Sequence, residues 1–282
     1  QGDILQQKVP ALIVNLFEGV KTPGGATGAV DKALEGAITQ LIADGEIKGK
    51  KGEVTLVHTL GKLPSARVVV LGLGKERDFN AEVVRQVMGS ALRYLRGLGV
   101  TTVATVAHGA GVGGLSPEDS GQAVAEGALL GLYRFNRHKS NSEDKKDITE
   151  LQIVERDAAK AAALERGVAR GRILAEATNM ARDMVNEPAN IMTPTRMAEI
   201  AQQMAREDGL GVEVLDRERM LELGMGALLG VAAGSAQPPK LIVLSYQGDP
   251  DNPGNNLGLL GKGITFDSGG ISLKPADRMD EM

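Results

Sequence analysis

Apolar and polar positions alternate along the first half of the chain in two different periods. Residues 11–17 form an apolar, β-branched run suited to a buried strand. Residues 30–43 carry apolar positions at helical spacing, behind a turn containing Gly24, Gly25 and Gly28. Residues 54–59 and 67–73 predict two further strands. Over residues 80–98 the apolar set Val83, Val84, Val87, Met88, Ala91, Leu92 and Leu95 marks one face of a helix. A strand is expected at 101–107. Ser116 is then a helix N-cap, with Asp119 three positions on, ahead of a helix over 122–135. The polar stretch 136–147 reads as a loop, and 151–154 as a short last strand.

Strands that alternate with helices predict an α/β layer architecture around a mostly parallel sheet. A long Ala-rich segment, 157–186, contains no proline and predicts one connecting helix, ending before Pro188. The expected organisation is therefore a first domain over 1–165 and a second over 166–282. The second has its own α/β pattern: a helix capped by Thr193 or Thr195 and running to about 207, a strand at 211–215, a short helix at 217–223, and buried strands at 240–246 and 256–262.

Composition narrows the chemistry. At 282 residues with 42% hydrophobic content, the chain has material for a true core, but aromatics are only 2%, so that core is aliphatic. The same scarcity, with a net charge of −4, disfavours a nucleic-acid partner held by stacking and a basic field. Cysteine is absent, which removes thiolate metal sites and disulfides. No apolar run is long enough for a membrane span, and the first residues lack the form of a signal peptide, so a cytoplasmic setting is expected. The three histidines, His58, His108 and His138, are far apart, so any metal site is expected to use oxygen ligands, with an amine as an option. Gly109, Gly111 and Gly114 satisfy G-x-G-x-x-G after a strand. No clear ribose-binding acid completes the unit, and the expectation there is a structural glycine loop.

The chemistry-bearing stretch is 261–275. Lys262 lies at the end of an expected strand, Asp267 precedes the Gly269-Gly270 turn, and Lys274 follows it. Two lysines and a carboxylate around glycine turns at a strand end suit a site, although solvated charges on a surface turn fit the spacing equally.

This stretch closely resembles the signature of the M17 leucyl aminopeptidases, or cytosol aminopeptidases. Further likeness lies in Asp183-Met-Val-Asn186-Glu-Pro188-Ala-Asn190, in Leu223-Gly-Met-Gly226, and in Ala233-Gly-Ser-Ala236 followed by Pro238-Pro239. The resemblance implies a metal-dependent aminopeptidase that hydrolyses the first peptide bond of peptides with leucine-like amino ends. It implies two divalent cations, Mn or Zn and possibly Mg, that activate a water between them. Lys262 is then a metal ligand through a neutral amine, Asp267 a carboxylate ligand of both metals, and Lys274 a catalytic, substrate-binding lysine that polarises the scissile carbonyl. Met282 would line the pocket for the substrate's first side chain. The second domain is implied to be the start of an α/β zinc-peptidase-type catalytic domain, and the assembly a homohexamer.

The family's next metal-binding aspartate and its Asp-x-Glu-x-Arg block are not found in these residues. The expectation is a fragment that is inactive alone. Two other readings accompany the first: a hexameric DNA-binding regulator of the same family, and nucleotide binding by the first domain, whose α/β pattern resembles macro domains.

Overall fold

The computed structural model describes residues 1–140 and 146–279. It divides into two compact units, Gln1–Ala181 and Arg182–Met282.

The first unit is built on a five-stranded sheet of order β2-β3-β1-β4-β5. Its strands are β1 (Ala11–Phe17), β2 (Val54–His58), β3 (Arg67–Gly74), β4 (Thr102–Val106) and β5 (Glu150–Val154). β1 lies parallel to β3 and β4, and β4 parallel to β5, while the edge strand β2 runs antiparallel to β3. The connecting helices are α1 (Gly25–Ala33), α2 (Ala37–Ala43), α3 (Ala81–Gly97) and α4 (Pro117–Leu132), and α5 (Ala158–Asn186) follows β5.

Both faces of the sheet are covered, as parallel sheets require. Successive β1 side chains point to opposite faces. Ala11 and Ile13 join Val69, Leu71 and Val103 in a core completed by Val84, Met88 and Leu92 of α3 and Val124 of α4. Leu12, Val14 and Leu16 join Val68, Val70 and Ala104 beneath Val30, Ile38 and Ile42 on the other face. These aliphatic clusters form the core that composition called for. Where α3 and α4 cross, a Cβ at Gly127 would lie 2.6 Å from the Arg85 carbonyl oxygen, so only glycine permits the approach.

The expected α/β alternation is present, with two departures. The helix expected over 30–43 is two helices, because buried Asp31 turns its carboxylate onto the start of α2. Oδ1 accepts from the amides of Ile38 at 2.8 Å and Thr39 at 3.0 Å, and Glu35 and Gly36 take positive φ between the helices. The division between units falls after Ala181, later than the boundary near 165 read from sequence. Gly167 and Gly171 of α5 pack directly on the backbone of α4, which holds that half of the helix in the first unit.

The second unit contains α6 (Pro194–Asp208), β6 (Gly211–Leu215), α7 (Arg217–Glu222), α8 (Gly226–Ala232) and β7 (Leu241–Ser245). Thr193 caps α6, its hydroxyl accepting from the Arg196 amide at 3.2 Å. β6 and β7 pair antiparallel, with Val214 opposite Ile242. A small cluster of Leu215, Met220 and Leu229 sits beneath them. β7 was expected to be buried, yet Val243 and Leu244 are exposed. The strand expected at 256–262 is absent. No described segment pairs with it, and a strand without ladder partners cannot satisfy its amides and carbonyls away from water. Leu257, Leu259 and Leu260 are accordingly exposed. α8 is a further helix that the apolar spacing did not suggest. No helix among the described residues is long and apolar enough to cross a membrane.

Candidate functional site

The turn at 267–274 is closed by its own backbone and side chains. The Asp267 carboxylate accepts through Oδ1 from the Gly269 amide at 3.0 Å. The Lys274 amide donates to the Ser268 carbonyl at 2.9 Å. Gly269 takes a φ of 95°, and a Cβ there would lie 2.9 Å from the Lys274 amide nitrogen, so glycine is required by both conformation and space. The chain thereby doubles back and sets the Lys274 ammonium 3.2 Å from Asp267 Oδ2.

The environment holds the Asp267 carboxyl below the usual carboxylate range. The leading cause is the Lys274 hydrogen bond, followed by the Gly269 amide and the Lys274 charge. Desolvation opposes them weakly, and the Lys262 charge adds a smaller contribution in the same direction. Asp267 is thus ionised and available as a donor at neutral pH. Lys262 sits on an irregular, exposed segment rather than at the end of a buried strand, although its charge still reaches Asp267. Beside it, Met197 of α6 lies against Gly263, whose added Cβ would meet Met197 Sδ at 3.0 Å.

The structure therefore associates three of the sequence-predicted residues, Lys262, Asp267 and Lys274. Met282 lies outside the described residues, as do Asp280 and Glu281. The Asp267 carboxylate suits a hard divalent cation, and Lys262 would join it as a ligand once its ammonium has given up a proton, so these two residues fit as part of a metal's donor set. They are not a whole one: among the described residues no group of three or more His, Cys, Asp or Glu side chains converges. The direct Asp267–Lys274 ion pair has no periodicity to announce it. Its only trace in the sequence is the Gly-Gly pair that makes the reversal possible.

The histidines take no part. His108 is fully buried, and burial pushes its imidazole down to about 4. Its Nε2 lies 2.8 Å from Thr105 Oγ1, while Nδ1 has no hydrogen-bond partner among the described residues. In the glycine loop that follows, a Cβ at Gly113 would strike the Phe79 ring at 2.5 Å.

The chain matches known proteins over nearly its whole length. The pattern of the cytosol aminopeptidase family's N-terminal domain fits residues 13–142, and that of its catalytic domain fits residues 179–282. A probable cytosol aminopeptidase of Alkaliphilus metalliredigens is 44% identical over 97% of this chain and 55% of its own length. The cytosol aminopeptidase of Pseudomonas aeruginosa PAO1 is 39% identical over 98% of this chain and 55% of its own. The chain thus spans about half the length of the curated relatives it matches. Among solved structures, the bottromycin maturation enzyme BotP in complex with Mn superposes with a TM-score of 0.76 at 30% identity, covering 95% of this chain and 51% of that one. A mutant of tomato leucine aminopeptidase also superposes at 0.76, with 25% identity, covering 94% and 53%. With both domain patterns matched in order, and Lys262, Asp267 and Lys274 inside the catalytic one, this chain belongs to the cytosol aminopeptidase family.

Proposed function

We propose that this chain contributes to a metal-dependent aminopeptidase that removes leucine-like residues from the amino ends of peptides. The observation that carries the reading is the Asp267 carboxylate, held ionised between the Gly269 amide and the Lys274 ammonium within the matched catalytic segment. Support also comes from a relative named cytosol aminopeptidase, a structural neighbour that is a leucine aminopeptidase, and another solved with Mn.

Asp267 and Lys262 would hold the cations, a pair of Mn or Zn ions. When bound, the cations supply Lewis acidity toward water and the scissile carbonyl. The Lys274 ammonium donates a hydrogen bond to the carbonyl oxygen and stabilises the negative charge that grows there as water adds. The glycine turn fixes the lysine's position, so little reorganisation is needed as that charge develops. Met282 contributes an apolar thioether to the wall that receives the first side chain. The protein acts in the cytoplasm as a homohexamer.

Release of leucine from a leucyl amide by the intact protein, with Mn or Zn supplied, tests the activity. Absence of release under both metals would sink it. Sedimentation of the intact protein tests the hexamer, and a monomer at micromolar concentration would remove that part alone.

A further inference from the structure

The sheet of the first unit ends in two edges of unlike character. β5 forms one, and it carries the exposed, charged Glu150, the kind of residue that keeps a free edge from pairing. β2 forms the other, and Val54-Thr55-Leu56-Val57-His58 contains no proline, lysine or carboxylate. Proteins usually blunt an edge that has no partner, and this one is left able to pair.

The ladder with β3 fixes which backbone groups of β2 face outward. The Gly72 amide donates to the Glu53 carbonyl at 2.8 Å, and the Thr59 amide to the Ala66 carbonyl at 3.1 Å. With Val54 opposite Leu71 and His58 opposite Arg67, it is the alternate residues Thr55 and Val57 that bond to β3. The amides and carbonyls of Val54, Leu56 and His58 therefore point away from the sheet, and no backbone partner meets them among the described residues.

A second copy of the same strand is complementary to that row. When two copies run antiparallel about a two-fold axis at Leu56, Leu56 faces Leu56 and Val54 faces His58 of the second copy. Each of these is a hydrogen-bonded pair, so every outward amide finds a carbonyl. Thr55 faces Val57, and such β-branched side chains pack well across strands. Glu53, the one charged side chain between 53 and 59, faces Thr59, so no like charges meet. Just past the strand, Leu60 is 87% exposed and takes a φ of 49°, a left-handed conformation that is costly for leucine and persists where something holds or uses it. The same register carries Leu60 toward Gly52 of the second copy, where a Cβ would meet nothing within 4 Å and an apolar side chain has room.

We infer that β2 is an interface between two copies of this chain, their sheets joined edge to edge about a two-fold axis through Leu56. The contact closes on itself, in a simple dimer or within a larger assembly, and it does not depend on the peptidase reading.

Because the chain contains no cysteine, a single introduced thiol cross-links only between copies. In Leu56→Cys the two Cα atoms lie about 5.5 Å apart, within disulfide range. In His58→Cys they are offset along the ladder by roughly 13 Å, beyond reach. Oxidation of the intact protein should give a covalent dimer from Leu56→Cys on non-reducing electrophoresis, and roughly tenfold less from His58→Cys. Val54→Cys mixed with His58→Cys reads the same register should Leu56→Cys not fold. His58→Pro keeps the β3 ladder, which does not use that amide, and removes an outward donor; the dissociation constant from sedimentation should rise roughly tenfold or more. Circular dichroism on each variant confirms folding. Absence of the disulfide-linked dimer would overturn the inference, as would equal cross-linking by the two single variants or an unaltered dissociation constant in His58→Pro. A leucyl peptide that protects the Leu56 amide from hydrogen exchange, in a protein that does not cross-link, would assign the edge to a peptide strand and overturn it as well. Leucine release is read separately, so its absence leaves the β2 contact standing, and a hexamer without the cross-link would sink that contact alone.

Discussion

The Lys274 ammonium lies 3.2 Å from Asp267 Oδ2 across a turn that only glycine at 269 can make. The two side chains have separate tasks in the proposed chemistry, and substitution should separate them. Asp267→Ala is expected to abolish Mn binding and leucyl amide hydrolysis together. Lys274→Ala is expected to keep the Mn stoichiometry while kcat falls about 10²- to 10³-fold, the scale of losing one donor to a developing oxyanion. Metal content and kcat measured on both variants check this. Mn retained in Asp267→Ala, or an unchanged kcat in Lys274→Ala, would contradict the assignment.

His108 gives the first unit a pH-dependent stability. The folded protein holds the imidazole neutral to about 4, whereas the unfolded chain takes up the proton near the ordinary 6.5. Between those values the unfolded state binds more protons, so stability rises with pH through that window. It is complete above the upper value and lost as pH falls toward the lower one. The slope for one such group is at most about 1.4 kcal/mol per pH unit. Urea unfolding at several pH values should show a shallower dependence in His108→Gln than in the parent. Equal slopes would show that the imidazole is not the responsible group.

Glu126 of α4 is buried and ion-paired to Arg85 of α3, with Gln122 donating to its other oxygen at 2.8 Å. Arg85→Ala removes the cation and leaves a carboxylate that water reaches poorly. The expected loss is roughly 2 kcal/mol, below the value for a fully buried pair because Arg85 is partly exposed. Arg85→Ala combined with Glu126→Gln should recover part of that loss, which a double-mutant cycle by denaturant unfolding measures. Additive losses would mean the pair contributes nothing.

Asp31→Ala removes the carboxylate that receives the Ile38 and Thr39 amides and the Thr39 hydroxyl. Loss of a buried cap costs about 2 kcal/mol. Hydrogen exchange should show faster opening at the Ile38 and Thr39 amides than at the α3 amides. Uniform protection across both helices would refute the capping role.

The chain's own pattern was enough to specify most of the first unit. A strand interior such as 11–17 and a helix face such as Val84, Met88 and Leu92 are written in local periodicity, because each element must bury one set of side chains whatever its neighbours. Ser116 capping α4 and Thr193 capping α6 are equally local, since each hydroxyl serves an amide three residues on. Lys262, Asp267 and Lys274 were legible through their resemblance to a family motif, whereas spacing alone left solvated charges on a turn as an equal reading.

Tertiary structure decided the rest, because those features depend on partners distant in the chain. The break after α1 follows from where Asp31 finds amides to accept from, not from apolar spacing. The runs at 241–245 and 256–262 both read as strands in the sequence. One has β6 to pair with and forms a strand; the other has no ladder partner among the described residues and forms none. Only the reversal at Gly269 and Gly270 brings the Lys274 ammonium onto Asp267, since an ion pair requires both charges within a few ångströms and the sequence records their order, not their separation in space.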